Sequence, residues 1–243
     1  MAAPINTLGS LRLMKKQKAV MIETKIKNSP YDYVLKSFKY IGKANYKKSF
    51  ETITKARTLW PNDFYVTSYY ASIMADYGEN LGGRSKIIYK RKACALLRKL
   101  LYRTKGVNKR IVDVTRNEYY YHSAQFRKQY LLGIERVSKK NKHGYYSQGV
   151  GAAWHSLNMA KKNINHLAIF WAKRAIKAWK LYFKIYPNYY NAYVHYALAL
   201  GIMKNFKEME NALQTAQKLS GKNKSYKEFK EIRDIIKNLN HTT

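Results

Sequence analysis

Residues 33–61 read YVLKSFKYIGKANYKKSFETITKARTLWP, and this stretch decides the fold class of the chain. Apolar or small residues recur at helical spacing on both sides of the break at residues 42–45, and Pro61 follows the second segment. This pattern indicates two helices joined by a short turn, because proline cannot continue a helix. We therefore expect a helical hairpin at this position.

The order of large and small residues in the hairpin resembles the signature of the tetratricopeptide repeat (TPR) family. The matching residues are Tyr33, Ser37, Tyr40, Ala44, Tyr46, Ser49, Ile53, Ala56 and Pro61, with Ala44 standing where the family usually has glycine. One hairpin cannot bury its apolar face alone, so copies of it must stack. The resemblance implies an all-α, TPR-like solenoid of helical hairpins wound into a right-handed superhelix.

The remaining sequence predicts about five such hairpins between residues 30 and 240, followed by a capping helix. Residues 1–29 form a basic N-terminal extension in which Leu8, Leu11 and Met14 share one helical face. The fifth hairpin matches the family spacing at Tyr193, Ala197, Leu200, Phe206, Leu213 and Ala216. The predicted helices after the first hairpin are 64–77 and 85–102, 109–121 and 123–138, 145–161 and 164–186, the two helices of the fifth hairpin, and the capping helix 224–238.

Composition narrows the class of protein. Cys94 is the single cysteine, so an internal disulfide and a cysteine-based zinc site are excluded. No run of about 18 apolar residues and no signal-peptide core is present, which predicts an intracellular or particle-associated protein that is not secreted. No Gly-rich phosphate loop, carboxylate pair or histidine cluster points to catalysis, and we expect no cofactor and no metal.

The charge is the most informative feature of the sequence. Forty-seven Lys and Arg against 14 Asp and Glu give a net charge of +33. Such an excess weakens a compact state unless an anionic partner relieves it, which predicts a polyanion as partner. An AT-rich genome would also raise the lysine content, but it does not by itself explain the scarcity of acidic residues.

The basic residues fall into two windows that contain no acid. Residues 80–112 hold eleven Lys and Arg, and residues 136–207 hold thirteen. In the second window four lysines follow the 4-3-4 spacing of one helix face, which makes a phosphate-tracking stripe or a solvated outer face. The predicted polyanion-binding residues are Arg84, Lys86, Lys90, Arg91, Arg98, Lys99, Arg103, Lys173, Lys177, Lys180 and Lys184.

The TPR resemblance also implies a groove for a protein partner. In some members of the family Lys, Asn and Arg in this groove clamp an acidic carboxyl terminus, whereas the corresponding positions here are Val34 and Phe38. The clamp is therefore absent from the first hairpin, and an apolar groove is expected instead. The predicted groove residues are Val34, Phe38, Val194 and Leu198.

Two weaker patterns point to nucleic acid. The tyrosines at 119–121, 145–146 and 189–190 could stack bases, although adjacent tyrosines in a helical repeat more often supply one core residue and one amphipathic neighbour. Arg116 and Asn117 followed by His122 resemble the Arg-polar-x-x-x-x-His pattern of the helical HEPN ribonucleases.

Three function classes follow. The leading interpretation is a non-enzymatic scaffold or adaptor that docks on a polyanionic assembly, either nucleic acid or an acidic protein, and binds a protein partner through its groove. The alternatives are a structural subunit of a virion or ribonucleoprotein particle, and a HEPN-like ribonuclease. The oligomeric state is not predicted by the sequence.

Overall fold

A computed structural model of the chain describes residues 29–42, 45–220 and 225–241, and all of the regular elements in these residues are α-helices. The predicted all-α fold class is confirmed. Ala44 and residues 1–28, including Leu8, Leu11 and Met14, lie outside the described residues. The chain divides into two compact units, Met1–Ser123 and Ala124–Thr243. The single repeat domain over residues 30–240 and its superhelical winding stay predictions.

The described residues of the first unit form five helices, and each packs against the next one along the chain. Side-chain caps start four of them: Ser29, Asn45, Asp63 and Asn108 each accept a hydrogen bond from a backbone N–H in the first turn of the helix that follows. The helices are α1 (Pro30–Gly42), α2 (Tyr46–Leu59), α3 (Phe64–Leu81), α4 (Gly83–Leu101) and α5 (Lys109–His122).

The first hairpin packs as its spacing predicts. Ser37 in α1 and Ser49 in α2 are fully buried, and the Ser49 hydroxyl donates a hydrogen bond of 2.9 Å to the Ser37 carbonyl oxygen. Ile53 and Ala56 are also fully buried. Small residues at these positions let the two helix axes approach closely, and Ile53 fills the space between them. The predicted close packing of this hairpin at its small residues is confirmed by these contacts.

Six helices are formed by the part of the second unit that the structure describes. Helices α7 and α9 are rich in glycine and alanine and are buried along most of their length. Helix α7 packs against α6, α8 and α9, and α9 also contacts α10 and α11. The helices are α6 (Phe126–Ser138), α7 (Gly144–Ala160), α8 (Asn165–Phe183), α9 (Tyr190–Ile202), α10 (Phe206–Ser220) and α11 (Ser225–His241).

The predicted capping helix corresponds to α11. Its Phe229, Ile232 and Ile236 are buried, while Lys230, Arg233 and Lys237 are exposed, and the helix contacts α9 and α10. The Arg233 guanidinium also donates hydrogen bonds to both carboxylate oxygens of Glu210 in α10. An amphipathic helix in this place covers the apolar side of the last hairpin.

The two helices of the third predicted pair belong to different units. The third predicted pair corresponds to α5 and α6, but the boundary between the two units falls at residues 123 and 124, between these helices. Within the first unit α5 packs against α4 and α3, and within the second unit α6 packs against α7. Helical spacing identified both helices but did not identify their packing partners.

Candidate polyanion-binding surface

Helix α8 carries two stripes on opposite sides. Residues 168, 172, 175, 179 and 182 follow a 4-3-4-3 spacing and are buried. They consist of three alanines, Trp179 and Tyr182. The four predicted lysines, Lys173, Lys177, Lys180 and Lys184, follow the same spacing on the other side, and all are exposed. Because an α-helix has 3.6 residues per turn, this spacing gives α8 a buried face and a basic face on opposite sides.

Trp179 is the largest side chain on the buried face of α8. Its side chain is fully buried, and its indole lies against Gly149 of α7, where an added Cβ would be only 2.6 Å from the ring atom Cδ2. The absence of a side chain at Gly149 lets the indole lie against the backbone of α7. This contact fixes the rotation of α8 about its own axis, and so directs the lysine stripe outward.

The lysine stripe has no neutralising partner among the described residues. None of its four ammonium groups forms an ion pair with a described carboxylate, and the sequence has no acid from residue 136 to residue 207. We call Lys173, Lys177, Lys180 and Lys184 the lysine ladder. Its charges face solvent, where they can bind phosphate or carboxylate groups of another molecule.

The predicted cations of the first unit are not equivalent. Lys86 and Lys90 of α4 reach back to Glu79 near the end of α3, at 2.7 Å and 3.7 Å from its carboxylate oxygens. These two lysines are partly neutralised within the unit. The other predicted cations of this window are exposed, namely Arg84, Arg91, Arg98, Lys99 and Arg103.

The four residues predicted to line a partner groove are buried, which corrects that prediction. Val34 and Leu198 are fully buried, and Phe38 and Val194 are each 5% exposed. The Phe38 ring packs edge-on against Tyr69 of α3, with 5.2 Å between ring centroids. Neighbouring helices cover these apolar side chains, so they stabilise the core of their units and do not form a surface.

The tyrosine runs are also mainly structural. Tyr121, Tyr146, Tyr189 and Tyr190 are buried, and the other tyrosines of these runs are half-buried. Tyr146 contacts the rings of Trp179, Tyr182 and Tyr189 at centroid distances of 5.4–5.5 Å. The interpretation of one core residue beside an amphipathic neighbour therefore describes residues 119–121 and 145–146, whereas both Tyr189 and Tyr190 belong to the core.

The residues of the HEPN-like pattern lie in α5. His122 is 4% exposed, and its Nε2 is 3.6 Å from a carboxylate oxygen of Glu118, which also accepts a hydrogen bond from the Ser72 hydroxyl. The Arg116 guanidinium is 3.8 Å from the Asp113 carboxylate. Arg116 and His122 therefore each lie beside a carboxylate of α5.

An exposed aromatic residue extends the lysine ladder, and the sequence reasoning missed it. Phe170 lies one turn before Lys173 on the same face of α8 and is 45% exposed. The Arg174 guanidinium lies 4.4 Å from the centroid of its ring and donates a hydrogen bond of 2.9 Å to the Tyr130 hydroxyl of α6. The 3-4-3-4 spacing from residue 170 to residue 184 was visible in the sequence, and it could have identified Phe170.

The described residues contain neither a membrane-spanning helix nor a metal-binding group of side chains. None of their helices is both long and apolar enough to cross a bilayer. Among the same residues, no group of three or more His, Cys, Asp or Glu side chains is arranged to hold a metal ion.

Comparison with known proteins does not assign this chain to a family. No protein-family model matches the sequence, and no curated protein matches it. Among solved structures, the chain is similar to the TPR2AB-domain:pHSP90-complex of yeast Sti1, at 17% sequence identity over 98% of this chain and 96% of that chain, with a TM-score of 0.25.

Proposed function

We propose that this protein is a non-enzymatic scaffold of helical hairpins that docks onto a polyanion, either nucleic acid or an acidic protein surface, through the basic face of α8. One observation carries the proposal: the four lysines of the ladder are exposed on one rigid face, and none has an anionic partner among the described residues.

The energetics of the ladder support a binding role. Like charges three or four residues apart on a helix repel each other, at a cost of roughly 1 kcal/mol over the three adjacent pairs of the ladder. A bound polyanion removes this repulsion. Each neutralised phosphate also releases condensed counterions, which favours association at low salt.

The exposed arginines of α4 support the same function from the first unit. Arg84, Arg91 and Arg98 are spaced seven residues apart, so they lie on one side of α4, about 10 Å apart along its axis. A guanidinium can bind a phosphate or carboxylate in a bidentate manner. Lys86 and Lys90 contribute less, because Glu79 already neutralises them in part.

The predicted function also includes the binding of a protein partner through a groove. Only the TPR resemblance supports this part of the prediction. Its four named groove residues are buried. We therefore base the proposal on the polyanion surface.

The test replaces all four ladder lysines with glutamine. Removing four phosphate contacts should lower the slope of log K against log salt by about 3 and weaken single-stranded RNA binding by roughly 10²- to 10³-fold at 0.1 M salt. The measurement is fluorescence anisotropy of a labelled 20-mer single-stranded RNA, a duplex DNA and an acidic peptide across a salt series. Binding of the acidic peptide alone would select the protein form of the proposal.

A matched control variant separates a binding face from bulk charge. Lys161, Lys162, Lys207 and Lys218 are exposed in the same unit but lie off the ladder, and their replacement by glutamine changes the net charge equally. Equal weakening by the two quadruple variants would contradict a specific binding face, and so would wild-type protein that binds no polyanion near physiological salt.

The size of the charge supports a second candidate, a structural subunit of a virion or ribonucleoprotein particle. A net charge of +33 far exceeds what four ladder contacts require, and packaged nucleic acid would neutralise it. A fixed stoichiometry of this chain in purified particles would identify a subunit, whereas a variable amount that washes off with salt would identify an adaptor.

A further inference from the structure

Phe170 lies at one end of the lysine ladder. Residues 170, 173, 177, 180 and 184 follow a 3-4-3-4 spacing, so the ring and the four ammonium groups lie along one face of α8. Buried aromatic rings are common in this chain, but Phe170 exposes 45% of its surface. An exposed aromatic ring therefore lies in line with four cations that have no anionic partner among the described residues.

The Phe170 ring contacts Arg174, which also binds Tyr130 of α6. The Arg174 guanidinium lies 4.4 Å from the Phe170 centroid and 5.8 Å from the centroids of Tyr130 and Trp171. Its Nη1 donates a hydrogen bond to the Tyr130 hydroxyl, and the Trp171 ring contacts Phe170 edge-on at 5.6 Å. A flat aromatic ring that contacts a planar cation suits the stacking of another ring, since these contacts orient it before binding.

We propose that this face binds a single-stranded nucleic acid, with one base stacked on Phe170 and the phosphates that follow it along the lysine ladder. This inference rests on the proposed function and names its ligand. Proteins bind single strands by combining aromatic stacking with cations that track the backbone, and both parts are present here on one helix. The ladder rises about 16 Å from Lys173 to Lys184, which spans several nucleotides of an extended strand.

The aromatic end of the ladder favours a single strand over the other polyanions. A duplex keeps its bases paired and stacked inside, so it presents phosphates to the lysines but no free base face to Phe170. An acidic protein surface would pair with the lysines and would gain nothing from stacking. A single strand supplies both free base faces for Phe170 and phosphates for the lysines.

The test compares ligands that differ only in their bases. A labelled 20-mer single-stranded RNA and an abasic 20-mer with the same number of phosphates are titrated against the full chain by anisotropy. We expect the base-containing strand to bind about 10-fold or more tightly than the abasic strand, because stacking on one aromatic ring has an effect of this size. A 2-aminopurine in the strand should lose fluorescence on binding.

Variants then assign the preference to Phe170. Phe170→Leu should remove the preference for bases while leaving the affinity for the abasic strand and its salt slope unchanged, and Phe170→Trp should restore it. The matched control is Phe206→Leu in α10, since Phe206 is 44% exposed and lies off the ladder. Replacing the ladder lysines with glutamine should weaken both ligands and reduce both salt slopes.

The possible outcomes separate this inference from the proposed function. Equal binding of the abasic and base-containing strands by wild-type protein would overturn the stacking inference and leave polyanion docking intact, as would equal or tighter binding of duplex. A preference for bases that survives Phe170→Leu, or that Phe206→Leu also removes, would overturn the assignment to Phe170. Absence of binding to every polyanion would overturn the proposed function itself.

Discussion

Replacing Gly151 with alanine is expected to destabilise the second unit by about 3 kcal/mol, even though alanine is the better helix former. Gly151 lies in α7 where α6 crosses it. A Cβ added there would lie 2.6 Å from the carbonyl oxygen of Phe126 and 2.7 Å from the backbone nitrogen of Tyr130. Both atoms belong to the main chain and cannot rotate away, so the two helices must separate.

Urea unfolding followed by tryptophan fluorescence measures this effect. Three of the four tryptophans, Trp154, Trp171 and Trp179, lie in the second unit, so the signal reports mainly on that unit. Asn158→Ala is the control, because it places an alanine on the same helix at a half-buried position. It should change the free energy of unfolding by less than about 0.5 kcal/mol. A Gly151→Ala protein with an unchanged or higher midpoint would show that α6 and α7 do not pack as described.

The second unit should also lose about 3 kcal/mol of stability when the pH falls from 7 to 4. His195 in α9 is fully buried, and burial lowers the pKa of its imidazole to about 4. Its ring stacks on Trp179 at 6.2 Å between centroids and contacts Trp154 and Tyr146. Neither ring nitrogen has a hydrogen-bond partner among the described residues, so a proton on this ring would have no compensation.

The direction of the pH effect follows from the two pKa values. Above pH 6.5 the imidazole is neutral in both states, and its contribution to stability is fully present. Between pH 6.5 and pH 4 the unfolded chain binds a proton that the folded unit excludes, so the free energy of unfolding falls as the pH falls. Below pH 4 both states are protonated, and this group causes no further loss.

The variant His195→Phe separates this effect from other acid effects. It keeps an aromatic ring among Trp179, Trp154 and Tyr146 but cannot bind a proton. Urea unfolding at pH 7 and at pH 4.5 should therefore show a smaller loss for the variant than for wild type. The pKa of His155 is also lowered by burial, Arg127 and Lys162, and this contribution is common to both proteins. Equal losses in the two proteins would contradict the assignment to His195.

Much of the fold could be predicted from the sequence, because helix formation depends on local residues. The periodicity at 33–61 located α1 and α2, and the positions of Ser37, Ser49 and Ala56 indicated where these helices pack closely. The amphipathic pattern after residue 224 located α11 in the same way. Spacing did not predict the partners that helices have within each unit, where α5 packs against α3 and α4, and α6 packs against α7.

The candidate site could be predicted only in part. Spacing alone placed Lys173, Lys177, Lys180 and Lys184 on one face, and their exposure agrees with it. Spacing could not show that Glu79 neutralises Lys86 and Lys90, because that contact depends on how α4 folds back on α3. It also could not show that Arg174 reaches Tyr130, which lies 44 residues earlier in the chain.

The sequence was sufficient to establish the helical class and which residues share a helix face, since both follow from composition and the helical period. The sign of the partner's charge stays a prediction from the net charge. Tertiary structure alone decided which of those faces are covered. Val34, Phe38, Val194 and Leu198 have the apolar character of a groove, yet neighbouring helices bury them, whereas the equally apolar Phe170 stays exposed beside the lysines. A side chain's own chemistry favours burial, but only the helices packed around it provide that burial.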